Sequence, residues 1–321
     1  MRSHGHSRPL TGMLNFEMLK SASQVEDIPE IFQNIKGVSM DIGGTLIKFI
    51  VYSEEEMAYG YTALCQFPDM ASKIKQLLTK SERNVTISIT GGGAFRFKEQ
   101  LKTMYPVSTI NLLDEMECIA RGSILLCPAA LEEFIVVNVG SGASVVRISS
   151  DRKFERLTGS CLGGGTFMGL ARFLSKLPDL GYDSAIELAS KGDGSHVDLL
   201  VGDIYGQEYP GIDCLKPEIV AGSFGKSIDS SNKVDDLLAS LLCMIVSNLV
   251  NIGSLCSKLN HNCPVFFSGS FFRNKKGYSY IYILQPDNIY SGRIPEKIWR
   301  TLSSSSRSYR VPFSHHLYRS K

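Results

Sequence analysis

The chain has 321 residues, 43% of them hydrophobic, which is enough for a substantial buried core in one large domain or two. A formal net charge of +2, with no dense basic stripe, argues against a nucleic-acid-binding surface. The eight cysteines contain no CxxC pair, so we expect reduced, buried thiols in a cytoplasmic protein and no zinc site.

Residues 1–35 form an N-terminal extension that we expect to be disordered. The beginning of this extension has no apolar run of signal-peptide length, although its Arg, His and Ser residues leave a mitochondrial presequence open. Glu17 and the sparse arginines argue against such a presequence. No uninterrupted apolar stretch approaches the roughly 20 residues that cross a bilayer, so we predict no membrane span.

The stretch GVSMDIGGTLIKFIVY, residues 37–52, predicts two short strands around the turn Asp41–Thr45. Adjacent glycines at 43 and 44 let backbone N–H groups approach a ligand closely, because no Cβ stands in the way. Such a turn can hold a phosphate, and Asp41 beside it can hold Mg²⁺ or its water shell. An ordinary glycine hairpin, with its Asp capping the turn, fits the motif about equally well.

Three further segments contain glycine-rich turns of this kind: ISITGGGAF at 87–95, FIVVNVGSGASVV at 134–146 and LGGG at 162–165. Three of the four turns directly follow strand-like runs. Several such loops indicate convergence on one phosphate chain. This is typical of an actin-like, sugar-kinase fold, in which ATP phosphates lie between strand turns of two α/β halves.

Helical periodicity is clear along much of the chain. It predicts helices over 69–80, 96–105, 112–126, 166–174, 182–191 and 234–259, and a buried strand over 264–269. The helix over 112–126 begins with Asp114, Glu115 and Glu117. Acidic residues near a helix N-terminus usually favour its dipole and point to water. A kinase that acts on a hydroxyl nevertheless needs a base within hydrogen-bond reach, and Glu115 is the candidate.

The motifs in order are DIGGT with Lys48, TGGGAF, DEMEC, NVGSGAS, FERLTGSCLGGGTFMGL, SKGD, VGDIYG and GSFGK. Together they resemble the eukaryotic-type (type II) pantothenate kinase family, from about residue 37 to about residue 273. The resemblance implies the actin-like (ASKHA) fold of two ribonuclease H-like domains around an ATP cleft. It also implies ATP- and Mg²⁺-dependent phosphorylation of pantothenate, the first step of coenzyme A synthesis, in a homodimer inhibited by acyl-CoA.

The same resemblance implies roles for individual residues. Glu115 in DEMEC corresponds to the catalytic glutamate, which takes the proton from the pantothenate hydroxyl. Contacts to pantothenate and acyl-CoA are implied for Ser141, Ser144 and Arg156, whose guanidinium suits a carboxylate or phosphate. Contacts to the ATP phosphates are implied for Asp41, Gly43, Gly44, Thr45, Lys48, Gly140, Gly163, Gly164 and Gly165. One branch of the family lacks the glutamate and is not a kinase, so its presence favours the active branch.

The C-terminus departs from the family pattern. Residues 274–321 replace an expected helix, strand and glycine-rich segment with sequence that has no helical period and a Ser/Arg-rich end. An alternative splice form or truncated product fits this departure, and we expect it to leave a sheet edge or apolar surface uncovered. We divide the chain into an extension (1–35), an N-terminal domain (36–130), a C-terminal domain (131–273) and a divergent tail (274–321).

Three functions stay open at this point. The first is a pantothenate kinase. The second is a catalytically impaired CoA-binding or dimerising variant, and the third is another small-molecule kinase of the same fold.

Overall fold

The protein is described by a computed structural model. It describes residues 19–21, 35–53, 57–79, 85–106, 108–126, 132–206, 216–226, 232–273, 278–280, 282–284 and 310–312. Most of the predicted N-terminal extension and most of the divergent tail therefore lie outside the described residues.

The first half of the chain forms a six-stranded sheet. Its strands are β1 (Leu19–Ser21), β2 (Gly37–Ile42), β3 (Leu46–Tyr52), β4 (Met57–Ala63), β5 (Thr86–Thr90) and β6 (Thr109–Leu112), in the order β1-β4-β3-β2-β5-β6. β2, β3 and β4 form an antiparallel meander, whereas β5 and β6 add in parallel beyond β2. Helices α1 (Phe67–Thr79) and α2 (Gly92–Met104) follow β4 and β5, and bury apolar residues in the same core.

The second half forms a five-stranded sheet. Its strands are β7 (Phe134–Val139), β8 (Ala143–Ile148), β9 (Phe154–Ser160), β12 (Val265–Ser268) and β14 (Tyr282–Leu284), in the order β14-β12-β7-β8-β9. The remaining elements are α3 (Glu115–Leu126), α4 (Gly164–Ser175), α5 (Tyr182–Lys191), β10 (Leu199–Leu200), α6 (Val201–Tyr205), β11 (Val220–Gly222), α7 (Val234–Leu259), β13 (Tyr278–Tyr280) and β15 (Arg310–Pro312).

The two halves repeat one strand plan. In each, an antiparallel meander of three strands (β2-β3-β4 and β7-β8-β9) is joined by a parallel fourth strand beside the first, β5 or β12. This confirms the predicted α/β, actin-like fold of two ribonuclease H-like units. The exact domain boundaries stay a prediction.

Helix α7 is the central core helix of the second half. Leu238, Leu241, Ile245 and Leu249 recur at helical spacing and are almost wholly buried against the sheet. Within the described residues, α7 is also the one helix whose length and composition would let it cross a bilayer, and 61% of that apolar window is buried in the protein. The predicted absence of a membrane span therefore stays a prediction.

The two halves differ after the fourth strand. In the first half, α2 carries the chain over to the parallel strand β6, whereas β12 is followed by a 3-10 turn, Ser270–Phe272. The outer edge of β12 pairs instead with β14 in antiparallel orientation, from Val265 to Phe267. An antiparallel partner needs no helical crossover. The expectation that the tail leaves this sheet edge uncovered is therefore wrong for the residues that pair with β14.

Helix α3 connects both halves. Its start is tied to β5, because the Leu113 N–H donates to the Ile89 carbonyl at 2.8 Å and the Thr90 hydroxyl donates to the Leu113 carbonyl at 3.0 Å. Its body packs on the second sheet, where Ile119 and Ala120 share a cluster with residues of β7, β8 and β12. The N-terminal residue of α3 therefore lies at the junction between the halves.

Candidate active site

The first glycine turn joins β2 to β3 and places a charged pair at its base. Asp41 faces Lys48 across the two strands, and Lys48 Nζ lies 2.5 Å from Asp41 Oδ2. Both side chains are largely buried. The turn is closed by the Gly43 N–H, which donates to the Leu46 carbonyl, while Gly44 and Thr45 are exposed at its rim. The residues predicted to form the phosphate turn are thus brought together, and Lys48 lies opposite Asp41 at the base of this turn.

The second glycine turn packs directly on the first. Gly91 has a φ of +88°, and a Cβ at this position would lie 2.6 Å from both Asp41 Oδ1 and the Ile42 carbonyl. Only glycine combines this left-handed conformation with so close an approach. The turn starts α2 at Gly92, within the glycine motif itself, and sets the N-terminus of that helix beside Asp41.

Glu115 lies beside Asp41, Lys48 and the Gly92 N–H. Burial raises the pKa of its carboxyl, the charges of Asp41 and Asp114 raise it further, and Lys48 and the Gly92 N–H oppose the rise. The side chain is still open to solvent on one side, although nearby protein removes part of its hydration. A carboxylate with a raised pKa beside a phosphate turn has the properties of a general base.

The other two acidic residues of this segment serve the helix. Asp114 caps α3, since its Oδ1 accepts a hydrogen bond from the Glu117 N–H at 2.8 Å. Glu117 forms an exposed ion pair with Arg121, one turn further on. Both therefore follow the ordinary behaviour of acidic residues at a helix N-terminus, and Glu115 differs from them.

The third and fourth glycine turns form one compact unit in the second half. The Gly164 and Gly165 N–H groups donate to the Gly140 and Ser141 carbonyls at 2.8 and 2.9 Å. A Cβ at Gly163 would lie 2.7 Å from the Ser141 carbonyl. These glycines let α4 start against the turn at 140–142. Because two of their N–H groups are already bonded to carbonyls, their role in holding a phosphate stays a prediction.

The two halves meet at their turns. Thr45 Oγ1 lies 2.9 Å from Ser141 Oγ, so the first glycine turn is hydrogen-bonded to the third glycine turn. Two residues predicted to contact ligands from opposite halves are therefore in direct contact.

Ser144 and Arg156 lie on the neighbouring strands β8 and β9. Ser144 pairs with Gly159, and the Arg156 guanidinium lies over Gly159, in the space that a Cβ there would occupy. The register thus brings the hydroxyl and the guanidinium near each other. Strand β9 also contacts α3, the helix that begins with Glu115. Arg156 is exposed and belongs to β9.

Two further features were missed in the sequence. Gly269 ends β12 with a φ of +110°, and a Cβ there would meet the Val139 backbone, just as Gly91 meets Asp41 and Ile42. The next residue, Ser270, has its Oγ 3.9 Å from where a Cβ on Gly140 would stand. The signal was available, because PVFFSG is a strand ending in glycine, like ISITGG.

Magnesium fits this site in part. Mg²⁺ is commonly held by one or two carboxylates together with water and substrate phosphates. Asp41 supplies such a carboxylate beside the turn, but its Oδ2 is paired with Lys48. The described residues contain no cluster of three or more metal-ligating side chains. Asp41 therefore suits a water-mediated contact to a metal that is carried by a nucleotide.

Known proteins with similar sequences include several kinases. The chain matches the family model Fumble over residues 128–284. It is 30% identical to Pantothenate kinase 1 of Arabidopsis thaliana, over 74% of this chain and 75% of that protein. It is 37% identical to Pantothenate kinase 2 of Arabidopsis thaliana, over 58% of this chain and 23% of that protein. The 4'-phosphopantetheine phosphatase of Mus musculus is 29% identical, over 76% of this chain and 37% of that protein.

The extent of these matches varies. The chain spans only 23% of the length of Pantothenate kinase 2 of Arabidopsis thaliana but 75% of Pantothenate kinase 1 from the same plant. Among solved structures, a ROK family glucokinase from Streptomyces griseus in complex with glucose and AMPPNP has a TM-score of 0.41 and 12% identity. That match covers 84% of this chain and 89% of the glucokinase chain.

Proposed function

The chain belongs to the eukaryotic-type pantothenate kinase family, and from that premise we propose that it transfers the γ-phosphoryl group of ATP to the hydroxymethyl oxygen of pantothenate. The observation that carries the proposal is the position of Glu115. Its carboxyl has a raised pKa and lies beside Asp41, Lys48 and the Gly92 N–H. A hydroxyl acceptor and a phosphate chain must meet at such a point for phosphoryl transfer.

In the proposed reaction, Glu115 accepts the proton of the pantothenate hydroxyl as its oxygen bonds to the γ-phosphorus. The bond from that phosphorus to the β,γ-bridging oxygen breaks, and ADP leaves. Lys48 and the N–H groups of the first turn compensate the charge on the transferred group. When Mg²⁺ is bound with the nucleotide it would supply further charge neutralisation, and Asp41 would hold it through water.

The acceptor is held by groups from the second half. Ser141 and Ser144 donate hydroxyl hydrogen bonds, and the Arg156 guanidinium pairs with the pantothenate carboxylate. The same groups receive acyl-CoA in feedback inhibition, because it contains the pantoyl-β-alanine part of pantothenate. The carboxyl is an amide in acyl-CoA, so Arg156 pairs there with a phosphate. We further propose that the protein is a cytoplasmic homodimer.

A second candidate is a catalytically impaired CoA-binding or dimerising form. The observation that favours it is the second half, where the antiparallel β14 stands in place of a helical crossover and a parallel strand. A related protein named as a phosphatase also indicates that this fold carries more than one activity.

The test is an assay of the purified full chain with ATP and Mg²⁺ against pantothenate, acetate and N-acetylhexosamines. Pantothenate kinase 1 of Arabidopsis thaliana serves as the positive control. We expect ADP release and 4'-phosphopantothenate formation with pantothenate alone. Preferred transfer to acetate or a hexosamine identifies another kinase. Acyl-CoA binding without transfer supports the impaired form, and phosphate release from 4'-phosphopantetheine identifies a phosphatase.

A further inference from the structure

Arg273 joins the two halves through aromatic rings. Its guanidinium carbon lies 3.7 Å from the centre of the Tyr182 ring on α5 and 5.8 Å from the Tyr61 ring on β4. Tyr182 belongs to the second half and Tyr61 to the first. A guanidinium over an aromatic face is attracted by the ring quadrupole, and the attraction grows when water is excluded.

The guanidinium is held in place on the side of the second half. Its Nη1 donates to the Ser270 carbonyl at 3.0 Å, and the Tyr182 hydroxyl donates to the Phe271 carbonyl. Its Nε is buried and finds no hydrogen-bond partner among the residues that the structure describes. A buried N–H without a partner lowers the stability of the fold, so the stacking of the guanidinium on Tyr182 must offset that loss.

The same cluster supports the glycine turns. Phe271 stacks edge-to-face with Phe167 and Tyr182, at 5.9 and 6.3 Å between ring centres. A Cβ on Gly164 would lie 3.4 Å from the Phe271 ring. Arg273 thus completes a packed group of side chains that extends from the 3-10 turn after β12 to β4 of the other half. The Phe271 ring in this group lies against the start of α4.

We propose that Arg273 is a positioning residue, which holds the two halves at the separation needed to enclose a nucleotide by stacking on Tyr182 and reaching Tyr61. The inference rests on the proposed kinase function, because it assigns the cleft between the halves to ATP. Lysine can replace this residue only in part, since its ammonium is attracted to a ring but lacks the planar group that stacks on it. Without the contact, a ligand must itself draw the halves together, and its apparent affinity falls.

The experiment measures the affinity for AMPPNP with Mg²⁺ by calorimetry and the radius of gyration by small-angle scattering. The variants are Arg273→Met, Tyr61→Leu and the double variant. A cation–π contact of this kind corresponds to a roughly 2- to 30-fold rise in Kd. We expect each single variant to show this rise and a larger radius, and the double variant to show no further rise. Arg273→Lys should give a smaller change in the same direction.

Two controls separate this role from folding. Tyr61→Phe keeps the ring, and Arg152→Met removes an exposed arginine from the turn between β8 and β9. Both should match the wild type in Kd and radius. The proposal is overturned if Arg273→Met weakens AMPPNP binding and Tyr61→Leu does not, because the arginine then acts on the nucleotide directly. It is also overturned if the variants only lower the Tm.

The two proposals fail in different ways. Coupled effects on AMPPNP binding without transfer to pantothenate would contradict only the proposed function. Transfer to pantothenate with unchanged AMPPNP affinity in both single variants would contradict only the role of Arg273.

Discussion

The hydroxyl oxygens of Thr45 and Ser141 lie 2.9 Å apart, and this bond joins two turns from opposite halves of the molecule. Only one of the two hydroxyls uses its proton in this bond, so the other can still donate to a phosphate or an acceptor while the bond is kept. A ligand at this point can therefore accept a hydrogen bond from one hydroxyl without separating the two turns.

Replacing Glu115 with Gln should abolish phosphoryl transfer and leave nucleotide binding nearly unchanged. Gln keeps the size of the side chain and an oxygen for the Gly92 N–H, but it takes up no proton. Loss of a general base typically lowers the rate by about two to four orders of magnitude. Turnover with pantothenate and AMPPNP affinity are the measurements. Glu117→Gln, in the same helical turn, is the matched control; near-wild-type turnover in Glu115→Gln would reduce Glu115 to a helix-terminal charge.

The same variant should be more stable than the wild type at neutral pH. The pKa of Glu115 is raised in the folded protein, so the folded state binds more protons and its stability falls as pH rises through that pKa. Gln removes this penalty. Thermal unfolding should show a higher Tm for Glu115→Gln at pH 7 and no advantage below the ordinary pKa of 4.5. An equal advantage at both pH values would mean that the gain has another cause.

The acidity of Glu115 should respond in opposite directions to its two charged neighbours. Asp41→Asn removes a negative charge and should lower the pKa of Glu115, whereas Lys48→Met removes a positive charge and should raise it. Carbon-13 NMR of labelled glutamate measures the titration directly. A pKa of Glu115 that shifts in the same direction in both variants would show that a change in local structure, not charge, sets this pKa.

Arg156→Ala should weaken both the use of pantothenate and inhibition by acyl-CoA, because we propose that its guanidinium pairs with the carboxylate of the one ligand and a phosphate of the other. Its KM for pantothenate and the acyl-CoA concentration for half inhibition should rise together. Arg152→Ala, on the adjacent turn, is the control. Unchanged inhibition with a raised KM would show that the two ligands use separate sites.

Replacing residues 274–321 with the corresponding segment of Pantothenate kinase 1 of Arabidopsis thaliana should raise both Tm and turnover. We expect this segment to supply the helix and strand that the family resemblance implies, and domains are usually stable by only about 5–15 kcal/mol. The same replacement in Glu115→Gln should raise the Tm alone. Equal stability and turnover in the original and the exchanged chain would mean that β14 already completes the second half.

The sequence was most informative where apolar residues recur over many turns. It predicted α7 and α5 to the residue, since a long periodic run sets the former and Gly192 ends the latter. It predicted the start of α3 three residues early, at 112. Leu112 completes β6, and Asp114 caps the helix, so the observed start is Glu115.

Contacts between residues that are far apart in the sequence could not be predicted from such patterns. Nothing local in the tail indicated that residues 282–284 pair with β12, or that they run antiparallel to it. The contact of Arg273 with Tyr61 depends on the relative orientation of the two halves, which no local pattern in the sequence specifies. The glycine motifs predicted the turns themselves, but only the assembled sheets place Thr45 against Ser141 and Gly91 against Asp41.

The attachment of α3 has a mechanical consequence. The end that carries Glu115 is fastened to the first sheet, whereas most of the helix rests on the second. If the two sheets rotate apart, this end is the pivot, so the base moves little relative to Asp41. Most of the displacement then falls between the first glycine turn and Arg156 on β9, because β9 moves with the second sheet and with α3. Under the proposed function, opening the cleft would thus move the sites proposed for the phosphate chain and the acceptor apart, while Glu115 stays at the hinge between them.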